Sequence, residues 1–217
     1  MTDFSYIKCK YIPKQEIWKS ADELIRNNWN YGEVPVNIEY IVEAKIGLEI
    51  IPMQGLYEIC GIDAFLKSDF SGIVIDNLKY NDERYDNRLR FSIAHEIGHY
   101  IMHNYVYSES NIQLSTPEEY YNFITNFPEK EYRSFEYQAN QFAGRSLVPP
   151  HILEREVLNI YRKLEKSNAV HLIKKNPDYI LDRATPGLCR PFGVSEDVIK
   201  RRVEEEKLWP PGIDVNH

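Results

Sequence analysis

His95, Glu96 and His99 stand in the run Arg90-Phe91-Ser92-Ile93-Ala94-His95-Glu96-Ile97-Gly98-His99-Tyr100, an H-E-x-x-H pattern set among spaced apolar residues. If the run is helical, residues four apart share one face at about 6 Å, so both imidazoles can offer a nitrogen to one ion at roughly 2 Å. Glu96 then lies about 100° round the helix axis, beside the ion but badly placed to join both histidines as a ligand. That place suits a general base that takes a proton from an attacking water, the chemistry of a metal-dependent peptidase.

A catalytic zinc site needs three protein ligands and one open position. His103 follows His99 by four residues, yet an ion held between His95 and His99 lies a full turn short of it; support for a ligand, or packing, is the role expected of it. The metzincin pattern asks for glycine and histidine three and six residues after the second histidine. Met102 and Tyr105 stand there, which excludes that class. The third ligand must then come from a downstream carboxylate. Glu109, Glu118, Glu119, Glu129 and Glu131 sit in polar or loop-like surroundings, whereas Glu136 opens Glu136-Tyr137-Gln138-Ala139-Asn140-Gln141-Phe142-Ala143-Gly144. Ala139 and Ala143 fall on its own helical face, small enough to let two helices approach closely.

These residues need elements to hold them. Helical spacing of Leu89, Ile93, Ile97, Ile101 and Met102 predicts an active helix from near Asp82 or Asp86 to His103. Upstream, helices are expected over 15–28 and from Asn37, a candidate N-cap, to Gly47. Three short apolar runs, 48–52, 61–66 and 72–76, predict a small antiparallel sheet, with 67–71 as the loop of a hairpin. If 72–76 were an open edge, a substrate peptide could pair with it as an added strand; an ordinary edge strand is the equal alternative. The aromatics Tyr105, Tyr107, Tyr120, Tyr121, Phe123 and Phe127 between the two metal-bearing helices are expected to pack, with a cleft wall as the other role. Thr116-Pro117-Glu118-Glu119 has the form of a helix start. Beyond Pro150 a helix should use Ile152, Leu153, Val157 and Ile160. Phe192-Gly193-Val194-Ser195 then reads as the turn of a helix-turn-helix-like element.

Composition sets the outer bounds. The 217 residues are 43% apolar and 27% charged, with a net charge of -7; these are globular values, and no apolar run nears the roughly 18 residues of a membrane helix. Met1-Thr2-Asp3-Phe4-Ser5-Tyr6 lacks the basic-then-apolar layout of an export signal, which predicts a cytoplasmic protein. Cys9, Cys60 and Cys189 are far apart and odd in number, as reduced thiols are. The acidity argues against tight nonspecific nucleic-acid binding. Residues 151–217 hold 12 basic and 11 acidic side chains, so packing or protein recognition is favoured over DNA reading for the C-terminal element. The expected division is a domain over 1–150 and a helical extension over 151–217.

With both metal-bearing stretches identified, the chain resembles the ImmA/IrrE family of bacterial and phage metallopeptidases. The resemblance rests on Asp63-Ala64-Phe65-Leu66, Gly72-Ile73-Val74-Ile75-Asp76, the run from Arg90 to His99, Glu136 with Ala139-Asn140-Gln141-Phe142-Ala143, and Leu147-Val148-Pro149. It covers roughly residues 35–150, and Phe192-Gly193-Val194-Ser195 is similar to the family's C-terminal helix-turn-helix-like element. It implies an α+β, zincin-like fold with His95, His99 and Glu136 as metal ligands and Glu96 as catalytic base. It also implies a protein substrate, commonly a helix-turn-helix repressor whose cleavage derepresses stress-response or mobile-element genes. Zinc is the expected ion, although two histidines and a carboxylate also suit manganese or iron. The second oxyanion donor stays open among His103, the tyrosines and the arginines. Two other functions compete: a non-catalytic regulator that holds a metal and sequesters a repressor or docks on DNA, and a peptidase of broader or toxic specificity.

Overall fold

A computed structural model describes residues 4, 6–30, 32–109, 112–167 and 170–211. Met1, Thr2, Asp3 and Ser5, part of the stretch that bears on export, lie outside them, as does the side chain of Glu109. The described residues are mostly helical with one small sheet, an α+β arrangement. In order come α1 (Lys14–Asn28), α2 (Ile38–Tyr40), β1 (Glu49–Met53), α3 (Leu56–Cys60), β2 (Ala64–Leu66), β3 (Gly72–Asp76) and α4 (Asn77–Tyr80). Then follow α5 (Asp86–Met102), α6 (Asn104–Glu109), α7 (Pro117–Asn126), α8 (Glu129–Leu147), α9 (Pro150–Lys166), α10 (Val170–Lys175), α11 (Pro177–Phe192) and α12 (Glu196–Glu205).

Local sequence explains most of the boundaries. The Asn37 side chain accepts from the Tyr40 N–H, and α2 runs on as a π-helical segment, Ile41–Ile46, until Gly47 ends it at φ +83°. Thr116 and Glu119 close a capping box at the start of α7. Gly193, at φ +59°, turns the chain out of α11, and Ser195 caps α12 by accepting from Val198 N–H. Pro186 and Pro191 lie inside α11, and such residues break the helical pattern that a sequence reading relies on.

The sheet corrects two expectations. Its strand order is β1-β3-β2, with β2 antiparallel to β3 through the 67–71 hairpin but β1 parallel to β3. The sheet is therefore mixed rather than antiparallel, because the α3 crossover after β1 lets that strand lie parallel to β3. Gly72 permits the pairing: a β-carbon there would stand 2.5 Å from the Glu49 carbonyl oxygen. Consequently 72–76 is the central strand and offers no open edge. The edge beside α5 belongs to β2.

The sheet packs on α5, and α5 packs most extensively on α8. Gly98 makes their closeness possible, since a β-carbon on it would lie 3.2 Å from the Ala139 Cα and 3.3 Å from Phe142. Tyr107, Tyr120, Phe123 and Phe127 are buried in the common core with Phe135, as expected of packing aromatics, and Tyr105 packs against it, whereas Tyr121 is half exposed. The C-terminal helices are fastened to this centre. Arg90 of α5 donates to the carbonyls of Phe192 at 3.1 Å, Gly193 at 2.8 Å and Val36 at 2.6 Å. The Trp18 ring takes Arg145 and Arg202 at 4.8 and 4.6 Å, while Glu206 pairs with both arginines. Among the described residues, no helix is long and apolar enough to cross a membrane.

Candidate metal centre

Helical spacing on α5 brings His95 and His99 together, with their Nε2 atoms 2.9 Å apart. The close α5–α8 approach delivers Glu136, whose carboxylate oxygens lie 3.3 Å from His95 Nε2 and 3.5 Å from His99 Nε2. One ligand atom from each residue falls within 4.8 Å of the others. Glu136 Oε1 is buried without a hydrogen-bond partner. Two ring nitrogens and a carboxylate converging in a buried place suit a divalent cation, and the donor set fits zinc.

The field at this point favours positive charge. Burial alone would lower the His95 pKa, but the hydrogen bond and charge of Glu136 raise it to about 9. Burial, with the charge of His95 beside it, takes His99 down to about 3. Burial would raise Glu136, yet its two histidines hold it well below the usual carboxylate range. Glu96 is not part of this group. Burial pushes its carboxyl up to about 8, and its Oε2 accepts from the Leu66 backbone N–H at 2.9 Å.

His103 stands behind His99, with the two Nδ1 atoms 2.9 Å apart, and is outside the converging group. Sequence reasoning did not single out three neighbours on α8. Tyr132 lies four residues before Glu136 and Asn140 four after it, a spacing that marks one helical face. Asn140 Oδ1 is 3.1 Å from His95 Nδ1. Gln138, which contacts His103, lies off that face and carried no comparable signal. Tyr132 and Tyr120 line a cavity of about 210 Å³ over the group, together with Ala64, Arg88 and Glu96. Burial first, and then the carboxylates of Glu96 and Glu136, raise both phenols above their ordinary pKa, so they keep their protons. A larger cavity of about 480 Å³, reaching Arg201 of α12, shares Asp63, Arg88, Phe91, Ser92 and Asn140 with the first.

Residues 75–204 match the model of the peptidase family M78, described as the IrrE N-terminal-like domain. The chain belongs to this family. Membership in M78 makes it a metallopeptidase-type protein and agrees with the ImmA/IrrE resemblance. No curated protein matches. A solved Mycobacterium tuberculosis transcriptional regulator is similar at a TM-score of 0.51 and 14% identity, over 89% of this chain and 56% of that one. At such identity the likeness concerns the fold, and the chain spans a little over half the length of that regulator.

Proposed function

We propose that this chain is a zinc-dependent endopeptidase that cuts a specific partner protein, a helix-turn-helix repressor, in the cytoplasm. The observation that carries the reading is the convergence of His95, His99 and Glu136 beside Glu96 at the free edge of β2. His95, His99 and Glu136 would hold the ion, with zinc preferred and manganese or iron also compatible. When bound, such an ion acidifies water and polarises a peptide carbonyl. Glu96, held by the Leu66 N–H, would in its ionised form, which a nearby cation favours, accept the proton of the attacking water and return it to the leaving amine. Among the candidate donors, Tyr120 and Tyr132, both protonated in the cavity wall, would donate to the developing oxyanion.

The same reading assigns substrate pairing to β2. Asp76 N–H donates to Asp63 O and Lys67 N–H to Gly72 O, so residues 63, 65 and 67 turn their backbone groups toward β3. Ala64 and Leu66 face the other way. Glu96 takes the Leu66 N–H and Leu66 is fully buried, so the N–H and C=O of Ala64, which lines the cavity, are what β2 would offer an incoming strand. For the division at residue 150, we propose that 151–217 braces the peptidase domain, because Arg90 ties α11 to α5 and Arg202 ties α12 to α8 and α1. The deciding experiment measures bound metal in purified protein and incubates it with helix-turn-helix repressors and unrelated proteins. One equivalent of zinc and chelator-sensitive cleavage of a single repressor are expected. Cleavage that persists without metal would overturn the reading, and cutting of many proteins would point to broad specificity.

A further inference from the structure

We propose that Gln138 and His103 are positioning residues that fix the tautomer of His99, and that the N-terminal segment anchors them; this rests on the metal reading above. The relay begins at a backbone atom. The Gln138 Nε2 lies 2.9 Å from the Lys10 carbonyl oxygen, which can only accept, so the amide nitrogen must face it. Turning the amide over would set two acceptors against each other. The Gln138 Oε1 therefore faces His103 Nε2 at 2.9 Å, and that nitrogen carries a proton. A neutral His103 then has its lone pair on Nδ1, which faces the Nδ1 of His99 at 2.9 Å. His99 must donate there, leaving the lone pair of its Nε2 directed at His95 and Glu136.

The surroundings leave the relay little freedom. His99, His103 and Gln138 are all buried, and Phe135 stacks on both rings, at 4.0 Å from His99 and 4.3 Å from His103. The anchoring segment is itself held: Cys9 N–H donates to Glu131 Oε2 at 2.8 Å, and Lys10 N–H to the Tyr105 hydroxyl at 2.8 Å. An imidazole in water spreads its proton over both nitrogens. Here His99 would meet an ion with the correct nitrogen already bare, without paying for tautomer exchange in a buried site.

The test uses Gln138→Leu, which removes the acceptor at similar size, and His103→Phe, which keeps the stack on Phe135 but removes both ring nitrogens. Nitrogen-15 NMR of the metal-free full chain should show His99 with its proton on Nδ1 in the wild type and a mixture of tautomers in each variant. Chelator competition should show zinc affinity reduced about 10- to 100-fold in both, with thermal unfolding checking that each variant is folded. A wild-type His99 protonated on Nε2 would overturn the relay. So would a folded variant that keeps a single tautomer and wild-type affinity, since packing alone would give that result. If the wild type binds no zinc, manganese or iron, the peptidase reading fails, while the tautomer measurement still decides the relay.

Discussion

In the proposed mechanism Glu96 transfers the proton and the three converging side chains hold the ion, and this division can be tested residue by residue. Glu96→Gln keeps the shape and the contact with β2 but cannot accept a proton. It should retain one equivalent of metal while turnover falls about 10²- to 10⁴-fold, read as metal content against cleavage rate. Full cleavage by this variant would remove Glu96 from the mechanism; retained regulation without cleavage would favour a sequestering regulator. Much at this scale was legible in the sequence. The four-residue spacing of His95 and His99 is a helical property, and Glu136 stood out because Ala139 and Ala143 share its face. Tyr132 and Asn140 carried only their four-residue spacing from Glu136, and Gln138 carried no signal, because a hydrogen-bonding residue on a packed helix acquires its role only from the neighbour it meets.

Between elements, the site depends on how closely α8 lies against α5 and on which strand forms the edge. Gly98→Val would push branched carbons toward the Ala139 backbone and Phe142. Overpacking of this kind costs about 1–3 kcal/mol; a lowered unfolding midpoint and weaker zinc binding are expected together, as Glu136 is moved away from the histidines. At the sheet, Ala64→Pro removes one outward N–H from an edge strand, where proline is tolerated. The fold should survive and KM for the substrate should rise about tenfold, the loss of roughly one hydrogen bond. An unchanged KM would remove β2 as the pairing edge. The sequence placed all three strands within a few residues and located the hairpin, yet mistook the central strand for a possible edge. Alternation and composition report what each strand buries; strand order depends on a crossover that neither property encodes.

Across the whole molecule, distant parts of the chain meet on α5. Arg90 is the joint, a partly buried guanidinium whose pKa burial lowers despite the nearby carboxylates of Glu39 and Asp86. Arg90→Ala leaves three carbonyls without that donor, and a loss of about 2–3 kcal/mol in urea unfolding is expected. The effect should be additive with Gly98→Val if the two joints are independent. The helices from 151 onward were only partly visible in sequence: α9 and α12 show regular apolar spacing, whereas three prolines obscure α11. The Arg90 joint also bears on the order of synthesis. Val36 emerges from a ribosome before Arg90, but Phe192 and Gly193 follow it by 102 and 103 residues. The helix that carries the histidines is thus made long before its buried cation has all its partners, and a growing chain carries an incompletely braced blade until its last helices are in place.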